Sequence, residues 1–141
     1  MRKIKFRGIA ISDDKFKYGN LTISDGLYHI GHHNSNNFYV FCQVNHETVG
    51  QLTGLCDKNE VEIYEGDICD FANLHGDMKR GFIKYRDGCF RFSTKLNVVN
   101  EYDAEVRMWN DGNNDWYSIE NIESFELEVM GNIHQNPELL Q

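Results

Sequence analysis

The chain has a single proline among its 141 residues. Twelve glycines punctuate short apolar runs instead, and stripes with the 3.6-residue period of an amphipathic helix are nearly absent. Apolar and polar residues alternate repeatedly along the chain, which is the pattern of half-buried strands. These features predict a mostly β protein with short antiparallel strands and little helix.

The chain also lacks a run of about 18 apolar residues, so no transmembrane helix is expected. Residues 1–6 carry three cations and lack the apolar core of a secretory signal. We therefore expect a soluble, cytoplasmic protein. A length of 141 residues is typical of one domain, and 40% apolar residues suffice for a modest core. A single domain spanning residues 1–141 is predicted.

Closely spaced cysteine pairs are missing. The four cysteines at positions 42, 56, 69 and 89 are irregularly spaced, which predicts reduced thiols and no disulfide framework. Cys42 and His46 have a C-x₃-H spacing, but a zinc site needs a second close pair, and none is present. The sequence therefore predicts neither a metal site nor a cofactor.

The motifs that usually mark catalysis are absent. There is no G-x-S-x-G elbow, and residues 50–54 match neither G-x-G-x-x-G nor a P-loop, so no catalytic residue is predicted. Glu65 and Asp67 leave a hydrolase as an alternative hypothesis, because paired carboxylates can act as general acid and base. The favoured interpretation is a turn, in which Gly66 takes a φ that only glycine tolerates and Asp67 accepts backbone N–H bonds. The residues assigned to structural turns are Gly50, Gly54, Gly66, Asp67, Asp87 and Gly88.

Positive charge is scarce in the last part of the chain. Residues 101–141 contain Arg107 against ten acids, whereas residues 1–50 contain six lysines and arginines against four acids. The net charge of −8 disfavours general nucleic-acid binding, because phosphate contacts depend on lysine and arginine. Tryptophan and tyrosine flank an acidic loop here, and both are common in protein interfaces. The predicted protein-binding residues are Trp109, Asp111, Asp115, Trp116 and Tyr117.

A hairpin is predicted over residues 82–92, because Asp87 and Gly88 form a preferred two-residue turn between alternating runs. Pairing outward from the turn predicts three cross-strand pairs: Tyr85 with Phe90, Ile83 with Phe92, and Lys84 with Arg91. A nucleic-acid-binding barrel is the second functional hypothesis, and it would use the cations Lys79, Arg80, Lys84, Arg86 and Arg91. Single-strand binders place aromatic rings among such cations, whereas here the rings fall on the opposite face, which makes this hypothesis the weaker one.

Other strands are predicted at residues 16–23, 27–30, 38–44 and 125–129, with a helical turn at 137–140. Residues 97–114 are expected to form a loop, and residues 119–122 a short helical turn. The first and last strands should lie side by side, because the cations Lys3, Lys5 and Arg7 alternate against Glu126 and Glu128. Residues 65–71 followed by the hairpin are similar to the entry of Src-homology-like barrels. A small barrel with additional N- and C-terminal strands is therefore predicted.

Three regions carry a resemblance to a known family: residues 4–8, residues 48–68 and residues 129–140. They resemble the YopX proteins of bacteriophages and prophages. The resemblance implies a mostly β phage or prophage protein of unassigned biochemical activity, located in the cytoplasm of the infected bacterium, with a homo-oligomer as a further expectation. We expect a module that binds another protein or associates with itself.

Overall fold

A computed structural model of the chain describes residues 3–72, 78–86, 88–93, 116–118 and 127–141. Strands dominate this part of the chain, so the mostly β prediction is confirmed. Two short 3₁₀ helices cover His46–Thr48 and Pro137–Leu140, the second of which was predicted as a helical turn. The strands are β1 (Phe6–Ile9), β2 (Phe16–Ser24), β3 (Leu27–His33), β4 (Tyr39–Val44), β5 (Gly50–Cys56), β6 (Glu62–Tyr64), β7 (Asp67–Ala72), β8 (Met78–Arg86), β9 (Cys89–Ser93), β10 (Trp116–Ser118) and β11 (Leu127–Asn132).

The strands belong to two antiparallel sheets. The first has the order β4-β3-β2-β1-β5-β6, and the second has the order β10-β9-β8-β7-β11. Within the described residues neither sheet closes into a barrel, so the predicted Src-homology-like barrel is replaced by two open sheets. In the second sheet β7 pairs with β8 on one side and with the distant β11 on the other, and the end strands β10 and β11 are not paired with each other within the described residues.

The first and last strands lie in different sheets, so the prediction that they are neighbours is wrong. Strand β1 pairs with β2, which follows it directly, and a short loop costs less entropy to close than a long one. Strand β11 pairs with β7. Its Glu128 forms an ion pair with Lys58 at 2.6 Å, which takes the place of the predicted pairing with N-terminal cations.

The chain divides within β5 into two compact units, Met1–Gly54 and Leu55–Gln141. In the first unit β2, β3 and β4 form a meander, which confirms the strands predicted at 16–23, 27–30 and 38–44. Thr48 ties the short helix to β1, because its Oγ1 accepts the Ile9 N–H at 2.9 Å and donates to the Asn45 carbonyl at 2.7 Å.

In the second unit β8 and β9 form the hairpin predicted around residues 87 and 88. The three predicted cross-strand pairs are all present, and Arg86 opposes Cys89 across the two-residue loop. One face of this sheet supplies most of the core, and Ile63 of β6 adds to it; the members are Ile63, Cys69, Phe71, Ile83, Phe90, Phe92 and Leu127. Burying a large apolar side chain contributes about 1.5–3 kcal/mol, so these residues stabilise the second unit.

Strand β11 begins at Leu127 within the described residues and continues to Asn132, with a register shift between Val129 and Gly131. The predicted loop at 97–114 and helical turn at 119–122 lie outside the described residues. No helix in the described part of the chain is long and apolar enough to span a bilayer.

Candidate protein-binding surface

Five ring-bearing residues occupy one face of the β2–β3–β4 meander, and we call this set the aromatic face: Phe16, Tyr18, His33, Tyr39 and Phe41. Opposed residues in antiparallel strands share a face, and the register places Asn20 opposite Gly31 and Gly31 opposite Phe41. The rings form two contacting groups on this face. Phe16 and Tyr18 lie 6.3 Å apart, and Tyr39 makes edge contacts with Phe41 at 5.2 Å and His33 at 5.1 Å between ring centroids.

The aromatic face is exposed although it is rich in rings. Tyr18 and Tyr39 are each 44% exposed, and Phe41 is 59% exposed. Contiguous exposed rings on a folded surface commonly mark an interaction site, whereas isolated ones need no explanation. The surface is also held in place, because Asn20 Nδ2 donates a hydrogen bond to the Tyr39 hydroxyl at 3.0 Å.

Gly31 leaves room for the Tyr39 and Phe41 side chains over β3. A Cβ added at this position would come within 2.5 Å of the Tyr39 hydroxyl and 3.1 Å of Phe41 Cε1. The rings therefore occupy the space that a side chain on β3 would fill. The absence of a side chain at this one position thus lets Tyr39 and Phe41 pack over β3.

Cations border the aromatic face on the β1 side. Lys5 Nζ lies 5.5 Å from the centroid of the Tyr18 ring, and the Arg7 guanidinium lies 4.5 Å from that of Phe16. Both distances are typical of cation–π contacts. Arg7 is buried, with 6% of its surface exposed, and its guanidinium packs on Phe16.

Acidic residues are absent from strands β1 to β4, and those of the first unit lie in turns and the first helix. Asp13 is one of them. It accepts hydrogen bonds from Lys17 Nζ at 2.8 Å and from the Lys15 N–H at 3.1 Å. The bond from Lys17 holds the pKa of Asp13 below its ordinary value, and the same bond raises the pKa of Lys17. The aromatic face itself therefore carries no negative side chain.

A small cleft of about 220 Å³ also lies in the first unit. Its walls include Leu27, Tyr28 and His46, and the last two rings are 5.6 Å apart. Sites for small molecules usually enclose about 300–1,000 Å³. The cleft has room for a side chain rather than for a cofactor, and no cofactor site is assigned to it.

The predicted turn at residues 65–67 connects β6 to β7. Gly66 has a φ of 88°, in the region that favours glycine. The carboxylate of Asp67 is 3% exposed, and its Oδ2 accepts the Tyr64 N–H at 2.8 Å. This geometry gives Asp67 a structural task in the turn. Gly50 and Gly54 lie within strand β5 rather than in a turn.

The predicted nucleic-acid cations lie on β8 and β9, and one of them is neutralised. Arg80 donates two hydrogen bonds to the Asp70 carboxylate, at 2.6 and 2.8 Å, which raises the pKa of Arg80 above its ordinary value. Lys84 lies opposite Arg91, as predicted. Phe90 and Phe92 belong to the core on the opposite face of the same sheet. Phe82 shares the face of Arg80 and Lys84, but it is only 8% exposed and offers little ring surface for a base to stack on.

The predicted protein-binding residues fall mostly outside the described part of the chain. Trp109, Asp111 and Asp115 lie in undescribed segments, while Trp116 and Tyr117 belong to strand β10, which pairs with β9. These five residues remain a prediction.

No group of three or more histidine, cysteine or acidic side chains within the described ranges could hold a metal ion. The four cysteines are free thiols, and Cys69 is buried in the core.

Two features were missed from the sequence. The first is the aromatic face. Its signal in the sequence is the alternation of rings at positions 16 and 18 on β2 and at positions 39 and 41 on β4. The second is Asp57, which is 6% exposed and accepts three backbone hydrogen bonds, from Asn59, Val61 and Val129 at 2.8–3.0 Å. The partner in β11 is 72 residues away, so no local pattern indicates it.

The fold defines a small protein of two antiparallel sheets. The sequence matches the model of the YopX protein family over residues 5–141, and the chain belongs to that family. The structure is similar to the crystal structure of YopX from Bacillus subtilis, with 17% identity and a TM-score of 0.61. It is also similar to the crystal structure of protein EF1440 from Enterococcus faecalis, with 22% identity and a TM-score of 0.54.

Both comparisons cover 100% of each chain, and at these identities the likeness shows a shared fold. No curated protein matches the sequence.

Proposed function

We propose that this chain is a phage- or prophage-encoded accessory protein that acts by binding another protein, in the cytoplasm of the bacterial host. The phage origin is supported by the family resemblance of the sequence. The binding role is supported by one observation above all, the exposed aromatic face of the first unit.

The aromatic face has the chemistry of a protein interface. Tyrosine and phenylalanine are enriched in such interfaces, and they supply large contact areas. Tyr39 is already ordered by Asn20, His33 and Phe41. Because a preorganised ring loses little side-chain freedom on association, more of the contact energy is retained as affinity.

The charge distribution favours a partner with an apolar centre and acidic or polar surroundings. The face itself has no acidic side chain, and Lys5 borders it, while the guanidinium of Arg7 is buried beneath it against Phe16. Opposite charges at the rim of an interface increase the rate of association more than they increase its strength. The acidic residues 101–141, with Trp109, Trp116 and Tyr117, are a second proposed contact region that would suit a basic surface.

The two alternative functions are less well supported. Nucleic-acid binding by the hairpin would need exposed rings among its cations, whereas Phe82 on that face is buried and Arg80 is already paired with Asp70. Hydrolysis by Glu65 and Asp67 would need an accessible carboxylate, and Asp67 is buried with a backbone hydrogen bond.

The proposal is tested by affinity capture from host cells that produce the protein. We expect wild type to retain one stoichiometric protein, and Tyr18→Ser with Tyr39→Ser to lose it. Ile23→Ser is the matched control, because Ile23 lies on the other face of β2 and is 55% exposed. Equal capture by the double variant would contradict the aromatic face as the binding surface.

A gel shift at low salt tests the nucleic-acid alternative with single- and double-stranded DNA and RNA. No shift is expected. A salt-sensitive shift that disappears in the Lys84→Glu, Arg91→Glu variant would contradict the proposal.

A further inference from the structure

Strand β4 is the edge strand of the first sheet, and its outward backbone groups can be identified. The Gln43 carbonyl accepts the Ile11 N–H at 3.0 Å on the outer side, and the Phe38 carbonyl accepts the Asn34 N–H at 2.9 Å on the β3 side. Backbone groups alternate in direction along a strand. The N–H and C=O of Tyr39 and Phe41 therefore point away from β3, and no described residue pairs with them.

This edge lacks the features that usually protect an edge strand. Residues 38–45 contain no charged residue and no proline. Natural edges are normally blunted by lysine, proline, bulges or covering loops. Among the described residues, cover is found at the end of β4, where Val44 forms a bridge with Ala10. The open stretch is therefore centred on Val40.

We propose that two copies of the chain pair through β4 as antiparallel strands related by a two-fold axis at Val40. Tyr39 of each copy would then lie opposite Phe41 of the other. The four outward N–H and C=O groups of each copy would all gain partners, in two hydrogen-bonded pairs. The inference deepens the proposed function, because it names a second copy as one partner.

The second copy fits this edge better than an unrelated strand for two reasons. A two-fold axis brings each residue close to its own equivalent, so a charged strand would repel itself, and β4 carries no charge. The proposed register also places Tyr39 beside the Phe41 ring of the other copy on the same face. The two aromatic faces would thereby join into one surface.

Proline substitution tests the edge. In Phe41→Pro the lost N–H points outward, so the β3–β4 pairing should be retained while the new pairing is blocked. We expect wild type to sediment with a mass that doubles as concentration rises, and Phe41→Pro to remain a folded monomer by circular dichroism. Tyr18→Ser should still form the dimer, which separates this inference from partner capture by the aromatic face.

Disulfide cross-linking tests the register in a variant with Cys42, Cys56 and Cys89 replaced by serine. Val40→Cys should cross-link to itself, because opposed residues in a non-hydrogen-bonded pair have Cα atoms about 4.5 Å apart, within disulfide range. Tyr39→Cys and Phe41→Cys should not cross-link alone but should cross-link when mixed.

Three results would overturn the inference. A wild-type protein that is monomeric at all concentrations would do so, and so would a Phe41→Pro variant that still dimerises. Capture of a host protein that depends on the outward N–H of Phe41, with no dimer, would show that the edge receives a strand from another protein.

Discussion

Strands β4 and β11 are both edge strands, and the chain treats their edges differently. On β11 the Val129 N–H donates to Asp57 Oδ2 at 2.9 Å, and the Leu127 carbonyl accepts the Lys58 N–H at 3.0 Å. A register shift and the ion pair between Lys58 and Glu128 add to this protection. Strand β4 has no such cover over Tyr39 and Phe41 within the described residues. This difference between the two edges is the basis of the proposed pairing of two copies through β4.

The aromatic rings of the two units differ in exposure. Phe90 and Phe92 alternate on β9 and are buried, whereas Tyr39 and Phe41 alternate on β4 and are exposed. The same sequence pattern thus builds a core in one unit and a surface in the other. Alternation predicts that a strand has an apolar face, but not whether that face is covered.

The largest expected effect comes from removing a buried ring. Phe92→Ala should lower the free energy of unfolding by about 3–5 kcal/mol, because Phe92 is fully buried and the cavity would be only partly refilled. Phe41→Ala should change it by less than about 1 kcal/mol, since Phe41 is 59% exposed. Urea denaturation of both variants measures the difference. Similar losses in the two variants would show that the rings of β4 are buried in solution.

Removal of the β11 cover should have the next largest effect. Asp57→Ala should cost about 2–3 kcal/mol, because it leaves three backbone N–H groups without their carboxylate acceptor. Asp57→Asn should lose less stability than Asp57→Ala, because the amide oxygen can still accept the N–H groups of Asn59 and Val61. The Asp57→Ala variant should also self-associate more than wild type, as measured by light scattering. If Asp57→Ala is destabilised but does not self-associate more than wild type, Asp57 does not protect the edge of β11 from association.

Two glycine-to-alanine substitutions, one on β8 and one on β3, can be compared directly, and their expected effects on stability are smaller. In Gly81→Ala the new Cβ would overlap the Ser93 carbonyl oxygen, and backbone cannot easily move, so a loss of about 1–3 kcal/mol is expected. In Gly31→Ala the new Cβ meets the end of the exposed Tyr39 side chain, which can swing into solvent. Thermal unfolding should show a clear decrease for the first variant and a minor one for the second. The reverse order would mean that Tyr39 cannot leave its position.

The smallest expected effect concerns Asp13 and Lys17. Because the pKa of Asp13 is lowered in the folded state, its contribution to stability is present above its ordinary pKa and is lost as the pH falls through the lowered value. Lys17 behaves in the opposite way. Because its pKa is raised in the folded state, its contribution to stability is lost as the pH rises through the raised value. Asp13→Asn should therefore be slightly less stable than wild type at neutral pH and equal to it in strong acid. Asp14→Asn serves as the control, and a difference that persists in acid would point to a cause other than this ion pair.

The sequence was sufficient for local structure. Asp87 and Gly88 between alternating runs predicted the β8–β9 hairpin and its three cross-strand pairs, because a two-residue turn fixes the register of both strands. The meander of β2, β3 and β4 followed from the same kind of signal. The mostly β class required no long-range information.

Long-range pairing was beyond the sequence pattern. The charges of Lys5 and Glu128 were compatible with neighbouring strands, yet exposed charge pairs contribute too little to choose among sheet partners. The choice was made by burial, since Leu127 of β11 packs in the core with Phe71 of β7. The aromatic face was missed for a related reason, because its rings obey the alternation expected of a buried strand.

The hydrogen bond between Asp57 and Val129 has a consequence for the order of folding. This bond joins residues 72 positions apart, whereas β3 pairs with its chain neighbours β2 and β4, and the bridge from Val44 of β4 reaches back only to Ala10. Local contacts form faster than distant ones, because less chain entropy is lost before they are made. During synthesis the meander can fold while β11 is still untranslated, so the ribosome-bound chain presents the edge of β4 before the edge of β11 can be closed. Chains made on one messenger could therefore meet through β4 while they are still being synthesised.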